Sequence, residues 1–401
     1  MSWRYQPPVL SPVAPTALLT GIAAALGRGR VGSSDIAEAL RRRYQASDVL
    51  LTDSGTSALV LALRMVVRKG GTIAYPGYAC IDITAAALRA GVNVRLYDLD
   101  PLTLSPDLDS VKAAIDRGVD AILVAHLYGY PADCCAVREL ADARGVAVIE
   151  DAAQGAGGSL RGTRLGALAD VSVLSFGRGK GVTGGSGGAL LTRTRTLSGS
   201  TRQLANQMGV RSGGLKDVVA LAAQWVFARS ALYRIPGSVP GLQLGEMVFH
   251  PASEPRGISS AAVTMLAAAL ESEELELAHR RERASEICRI LAETRGRLTA
   301  ARPVGDGGSG FLRCAFLDAV GDMVPHQPSG ITRGYPLTLD QHEQLRPILL
   351  AGEAAGSGSS RLRDRLFTAP THSRVGAADV TRIRQHLVRP ASPAQIEAFA
   401  T

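Results

Sequence analysis

The chain has 401 residues, 46% of them hydrophobic, and a formal net charge of +8. This length suffices for more than one domain, and the basic residues form no concentrated run, so anionic small molecules are favoured at least as much as nucleic acid. The five cysteines include no CxxC pair, which argues against a disulfide framework or a zinc or iron–sulfur site. The opening MSWRYQPPVL has a proline pair where a signal peptide needs its apolar core, so we expect a cytoplasmic protein.

Helical and strand patterns alternate along the first half of the chain. A capped helix at about 33–45 leads into the apolar strand DVLL, a Ser/Gly/Thr turn at 53–57 and the helical pattern ALVLALRM. Such a turn can bind an anion through free amides and the helix dipole, although an ordinary capped helix would explain it equally well. Strands and helices continue to alternate up to residue 154. The alternation predicts a largely parallel sheet with helices on its faces.

Polar side chains follow the ends of the predicted strands. In parallel α/β sheets, ligands bind beyond the carboxyl ends of the strands. The segments at these ends are Asp53–Thr56, Tyr75–Cys80, His126–Tyr128, Glu150–Gln154 and Ser175–Lys180. We therefore expect them to converge on one site.

A glycine-rich loop around Lys180 connects two strand patterns. It is not a nucleotide P-loop, because Gly181 follows the lysine where Ser or Thr is required. Its GxGxxG spacing is discounted because a strand pattern rather than a helix follows, and the flanking strands argue against a disordered RNA-binding tract. The remaining interpretation is a lysine that forms a Schiff base with an aldehyde cofactor. Asp151 could then keep a pyridine nitrogen protonated, although a lone Asp at a strand end more often caps a turn.

Four segments together resemble the DegT/DnrJ/StrS-type aminotransferases. They are SGTSAL at 54–59, AHLYGYPAD at 125–133, VIEDAAQGAGGSLRGTRLGALADVSVLSF at 148–176, and the Lys180 loop with GSGGALLT. Enzymes of that family depend on pyridoxal 5'-phosphate (PLP) and have the aspartate-aminotransferase-like fold, fold type I. The resemblance implies an α/β protein, with a mainly parallel sheet in a large domain and a smaller α/β C-terminal domain. We place these domains at residues 1–250 and 251–401.

The resemblance also implies a role for each matching residue. Lys180 is the catalytic residue, which holds PLP as a Schiff base and transfers the proton between substrate and cofactor. Asp151 is the partner of the pyridinium nitrogen, and Gln154 lies beside the ring oxygen. The implied phosphate cup consists of Gly55, Thr56 and Ser175. Cys80 stands where many family members place an aromatic ring against the cofactor, so some stacking area is lost.

The activity implied by the resemblance is transamination by a homodimer. An amino donor such as glutamate would supply nitrogen to a keto substrate, most often a nucleotide-linked keto sugar. Gly181 stands where the family usually has Asn or Thr after the lysine. Ser186 stands where the family usually has Glu. Two alternatives stay open: a PLP enzyme of another reaction type, such as a decarboxylase, aldolase or acyltransferase, and a non-catalytic binding or regulatory homologue.

The resemblance weakens after residue 195. Residues 196–250 form a longer connection than is usual in the family, with an apolar helical stretch at 216–237 that is too short to span a bilayer. For this apolar stretch, packing in the core or in a dimer interface is favoured over peripheral docking to a carrier, lipid or partner protein. Arg256 falls near the family's substrate-loop arginine. We expect residues 354–360 to form a flexible loop and His372 to be structural.

Overall fold

A seven-stranded sheet forms the centre of the large domain in the computed structural model, which describes residues 5–233 and 248–388. The strand order is β1-β9-β8-β5-β4-β2-β3, and β9 is the one strand in it that runs against the others. The strands are β1 Asp48–Thr52, β2 Thr72–Pro76, β3 Asn93–Tyr97, β4 Ala121–Ala125, β5 Ala147–Asp151, β8 Val171–Ser175 and β9 Gly188–Thr192, and the hairpin strands β6 Ser159–Leu160 and β7 Thr163–Arg164 form a separate pair. The largely parallel sheet predicted from the alternating pattern is confirmed.

Helices cover this sheet, and most residues of its strands are apolar and buried. All five residues of β4, AILVA, are buried, as expected for a parallel strand enclosed on both faces. The helices of this part are α1 Pro15–Ala25, α2 Ser33–Arg43, α3 Gly55–Val66, α4 Asp82–Ala90, α5 Leu108–Asp116, α6 Cys134–Asp142, α7 Arg195–Met208 and α8 Leu215–Phe227. Side-chain caps begin several of them: Asp107 Oδ1 accepts from Ser110 N at 2.8 Å, and Asp133 Oδ1 from Ala136 N at 3.0 Å.

A smaller antiparallel sheet, in the order β10-β11-β13-β12, forms the C-terminal part. Its strands are β10 Leu298–Ala300, β11 Arg313–Asp318, β12 Thr332–Arg333 and β13 Leu366–Pro370, and the helices that follow α8 are α9 Ser260–Glu271, α10 Glu273–Ala292, α11 Ser357–Arg365 and α12 Ala377–Val388. Phe316 and Phe367 stack in its core with ring centroids 6.1 Å apart. A smaller α/β unit therefore follows the large domain, as predicted.

Helix α9 packs with the large domain rather than with the small sheet. Its residues Ala262 and Leu266 belong to the same buried cluster as Leu51 and Leu191 of the large sheet. The boundary at residue 250 stays a prediction, and this packing favours one near residue 272, between α9 and α10.

Two predictions about local structure can be compared with the described residues. The prediction of a flexible loop at 354–360 is wrong for residues 357–360, because helix α11 begins at Ser357. The apolar stretch predicted to be helical at 216–237 is helical only up to Phe227, where α8 ends. Val218 and Leu221 of α8 are buried against Met265. Residues 228–233 form turns, and residues 234–237 lie outside the described part. No helix among the described residues is long and apolar enough to cross a bilayer.

Candidate active site

The N-terminus of α3 and the end of β8 form a narrow cradle. Ser54 Oγ caps the helix by accepting from Ser57 N at 3.0 Å, which leaves the first amides directed at the cavity. A Cβ atom added to Gly55 would lie 2.7 Å from Ser175 Cβ, so only glycine allows this approach. Free amides, a helix dipole and the Ser175 hydroxyl together suit a phosphate group.

All seven predicted site residues line one cavity of about 610 Å³ at the carboxyl edge of the sheet. They are Gly55, Thr56, Cys80, Asp151, Gln154, Ser175 and Lys180. The convergence that the sequence predicts is present, and the role of each residue stays a prediction.

Asp151 ends β5 and faces the cavity. Its Oδ1 accepts a hydrogen bond from Ala153 N at 2.9 Å. Burial raises the pKa of Asp151, although this bond and the charge of Lys180 oppose the shift. A cationic ring nitrogen in the cavity would supply the charge partner that a buried carboxylate requires.

The side-chain amide of Gln154 is held at both ends. Its Oε1 accepts from Tyr128 N at 2.8 Å, and its Nε2 donates to Tyr335 Oη at 2.8 Å. Tyr335 N donates in turn to Tyr78 Oη at 2.6 Å, and the ring of Tyr335 stacks on Tyr128 with centroids 5.5 Å apart. The sequence analysis did not identify Tyr335, because it comes from the small domain, where the family resemblance is weak.

Glu150 and His126 form a buried pair beside the cavity. His126 Nε2 lies 2.9 Å from Glu150 Oε1, while Nδ1 accepts from Ala132 N at 3.0 Å, so the ring proton is on Nε2. Burial raises the pKa of Glu150, but bonds from His126 and from backbone amides including Gly166 N outweigh this effect and hold the pKa low. Glu150, expected among the converging residues, thus anchors the backbone of 166–169 instead of lining the cavity.

Three residues, Cys80, Gly181 and Ser186, differ from the family pattern, and the structure shows what surrounds each of them. Burial raises the pKa of Cys80 to about 12, so the thiol faces the cavity as a small neutral group. A Cβ atom on Gly181 would lie 2.5 Å from Ala156 Cβ and 2.8 Å from Arg280 Nη1, so this position has no space for Asn or Thr unless its neighbours move. Ser186 lines a second, outer cavity. Local packing therefore accounts for the glycine at position 181.

The outer cavity opens from the first and has a volume of about 1720 Å³. Lys180, Asp82, residues 7–10 and Phe227 are among its lining residues, so it combines charged and apolar walls. It provides the space for a substrate to reach Lys180. Arg256 lines neither cavity; its side chain is exposed, and its carbonyl accepts from Asp53 N at 2.8 Å.

The segment from Gln6 to Ser11, called here the N-terminal strap, closes one side of the outer cavity. Ser11 Oγ donates to the Lys180 carbonyl, and Gln6 Nε2 donates to the Arg374 carbonyl at 3.0 Å. His372 is buried, and its Nε2 donates to the Pro7 carbonyl at 3.0 Å. The strap thus connects the Lys180 loop with the small domain.

The sequence of the chain is similar to those of known aminotransferases. Residues 32–221 match the sequence model of the DegT/DnrJ/EryC1/StrS aminotransferase family. The L-glutamine:2-deoxy-scyllo-inosose aminotransferase of Streptoalloteichus tenebrarius is 39% identical over 148 residues, which are 36% of this chain and 34% of that enzyme. The dTDP-3-amino-3,4,6-trideoxy-alpha-D-glucose transaminase of Streptomyces venezuelae is 40% identical over 159 residues, 38% of this chain and 41% of that enzyme.

Solved structures are similar over nearly the whole chain. DesI, crystallised with its TDP-sugar product, superposes with a TM-score of 0.75 at 20% identity and covers 100% of this chain and 96% of its own. A DegT DnrJ EryC1 StrS aminotransferase from Brucella abortus gives a TM-score of 0.70 at 20% identity, over 93% of this chain and 94% of its own. At these identities the likeness establishes the fold alone.

The architecture is therefore that of the fold type I, PLP-dependent transferases. The sheet order, the cavity at its carboxyl edge and the helix N-terminus beside it all agree with this class. Over residues 32–221 the sequence is similar to the DegT/DnrJ/EryC1/StrS aminotransferase family. The chain covers about two-fifths or less of the length of the curated relatives named above.

Proposed function

We propose that the protein is a PLP-dependent aminotransferase that transfers an amino group from a donor such as glutamate to a keto substrate. The observation that carries the proposal is the convergence of Lys180, Asp151, Gln154 and the α3 cradle on one cavity. A nucleotide-linked keto sugar is the favoured acceptor. The relatives' names support a polyhydroxylated ring: one acts on a deoxy-inosose, and another is a transaminase of a dTDP-linked sugar.

The residues present fit PLP. The amides of Gly55 and Thr56 with the Ser175 hydroxyl would hold its phosphate, Asp151 its ring nitrogen and Gln154 its ring oxygen. When bound, PLP supplies an electron sink for the charge left on the substrate carbon when a proton departs. Burial raises the pKa of Asp151, and a protonated ring nitrogen beside it would supply the opposite charge that favours its ionised form.

Lys180 would hold the cofactor through Nζ and, once displaced by the donor, act as general base and acid. Its position on a glycine-rich loop lets substrate approach Nζ closely, and the bond from Ser11 Oγ fixes the loop at the Lys180 carbonyl. The strap residues 7–10 cover part of the cavity and limit the access of water. A homodimer is proposed from the family alone.

The absorbance spectrum between about 320 and 430 nm tests the proposal. Wild-type protein with PLP should show a band near the visible edge that shifts to shorter wavelength with glutamate, because PLP is bound to Lys180. Lys180→Ala should lose the band, while Lys112→Ala, an exposed lysine on α5, should keep it. If wild type shows no band with added PLP, the proposal is wrong.

Isotope transfer separates transamination from other PLP chemistry on the same fold. Glutamate labelled with ¹⁵N should pass its label to the protein-bound cofactor and then to a keto acceptor, for which 2-deoxy-scyllo-inosose is a suitable first probe. A decarboxylase, aldolase or acyltransferase would release other products and leave the nitrogen on the donor.

A further inference from the structure

Two cysteines of the small domain face each other. Cys288 Sγ, on α10, lies 4.0 Å from Cys314 Sγ, on β11. Both are free thiols, and 26 positions separate them in the sequence. The S–S bond of a disulfide is about 2.0 Å long, so the two sulfur atoms would have to approach each other by about 2 Å. Rotation of the two side chains about their Cα–Cβ bonds can supply a movement of this size.

The packing of α10 on β11 brings the two thiols together. Cys314 belongs to the same buried cluster as Ile287 of α10, whereas the next residue of the strand, Ala315, belongs to the cluster of the large domain. Cys288 follows Ile287, packs against the edge of the small-domain cluster and is partly exposed. An oxidant can therefore reach Cys288 from solvent, while Cys314 lies buried behind it.

The acidity of Cys288 differs from that of the other thiols. Its hydrogen bond with Cys314 lowers the pKa of Cys288, against the opposing effect of burial. The same bond and burial raise the pKa of Cys314. Burial also raises the pKa of Cys80, Cys134 and Cys135. All five cysteines lie within the described ranges, and Cys288 alone among them has a lowered pKa. Since the thiolate is the form that attacks an oxidant, Cys288 is the nucleophile of the pair.

We propose that Cys288 and Cys314 form a reversible disulfide when a peroxide oxidises the protein. Cys288 Sγ attacks one peroxide oxygen, an S–O bond forms as the O–O bond breaks, and Cys288 becomes a sulfenic acid. Cys314 Sγ then attacks Cys288 Sγ, the S–O bond breaks, and the oxygen leaves as water with the Cys314 proton. With hydrogen peroxide, the two thiols lose two electrons and two protons, and the peroxide is reduced to two molecules of water.

This site is separate from the candidate active site. Neither cysteine lines the inner or the outer cavity. The proposal therefore does not depend on the proposed transamination, and both can be tested on the same protein.

Thiol mapping of the full chain tests the site. After treatment with hydrogen peroxide and alkylation with iodoacetamide in urea, wild type should carry three alkyl groups, because two of its five thiols are consumed. Peptide mapping should find Cys288 linked to Cys314, and dithiothreitol should restore all five thiols. The control Cys135→Ser removes another partly exposed cysteine, on α6, and should still form the link.

Single variants separate the roles of the two thiols. Cys314→Ser should stop at the sulfenic acid, which dimedone labels at Cys288 at least about fivefold more than at Cys135, because Cys288 has more thiolate. Cys288→Ser should retain Cys314 as a free thiol, since it is buried. Circular dichroism shows whether each variant is folded, and the wild-type mapping stands without them. A peroxide-treated wild type with both thiols free, or with a link between other cysteines, would overturn the proposal. So would equal labelling of Cys288 and Cys135 in folded Cys314→Ser.

Discussion

Gly181 shows how packing determines the residue that follows Lys180. Its α-carbon faces Ala156 and the buried guanidinium of Arg280, whose side chain is 2% exposed. We predict that Gly181→Ala destabilises the protein by about 1–3 kcal/mol, because the new methyl group overpacks this contact. Urea unfolding measures the effect.

The matched control for this prediction is Gly199→Ala on α7. An added Cβ atom there meets no atom within 4 Å, so the substitution should be neutral or stabilise the fold by up to about 1 kcal/mol. Equal effects at both glycines would show that Gly181 is not sterically constrained.

The stability of the protein should depend on pH through His372. Burial, reinforced by the charge of Arg374 nearby, lowers its pKa to about 4. An unfolded histidine titrates near pH 6.5, so the unfolded chain takes up the proton first as the pH falls. The free energy of unfolding is therefore fully retained above about pH 6.5 and decreases between about 6.5 and 4.

At pH 5, proton uptake by His372 in the unfolded chain lowers the free energy of unfolding by about 2 kcal/mol relative to pH 7. Urea unfolding of wild type and His372→Gln at both pH values isolates it. The variant cannot take up this proton, so its stability should change less between the two pH values. An equal change in both proteins would mean that His372 titrates normally in the fold.

At the scale of elements, α11 is anchored by a residue far away in sequence. The Asp98 carboxylate accepts from Gly358 N at 2.9 Å and from Ser359 N at 2.7 Å, at the N-terminus of the helix. Burial raises the pKa of Asp98, but these hydrogen bonds outweigh it and keep the pKa below its usual value. The carboxylate thus stays ionised and complements the helix dipole.

We predict that Asp98→Ala lowers the free energy of unfolding by about 1–2 kcal/mol, the usual cost of a lost N-terminal cap. Hydrogen exchange of the amides at 358 and 359 should become faster. Asp109→Ala, at an exposed position in the first turn of α5, is the comparison. If exchange at α11 stays unchanged in Asp98→Ala, the helix end is held by other contacts.

The same helix explains one failure of the sequence prediction. Glycine and serines at 356–360 indicate a flexible loop when only neighbours in sequence are considered, whereas Asp98 supplies the bonds that begin a helix there. The strands of the large sheet were predictable because each is a short apolar run bounded by polar turns. Local pattern was sufficient wherever the stabilising partners were also local.

At the scale of the whole molecule, the topology of the sheet explains which residues of the site could be predicted from the sequence. Residues at the ends of parallel strands, such as Asp151 and Ser175, must meet at one edge of the sheet, so their convergence could be expected from order alone. Tyr335 belongs to the small domain and reaches Gln154 only through the docking of two units. No local pattern specifies that docking, so Tyr335 could not be identified from the sequence.

The N-terminal strap has a consequence for the order in which the site is completed. Residues 6–11 are synthesised well before two of their partners, the Arg374 carbonyl and His372, because Gln6 and Pro7 bond to residues 368 and 365 positions further along the chain. Contacts so distant in sequence form late in folding. The large sheet can assemble as it emerges, whereas the wall over Lys180 can close only after residues 372–374 have been translated.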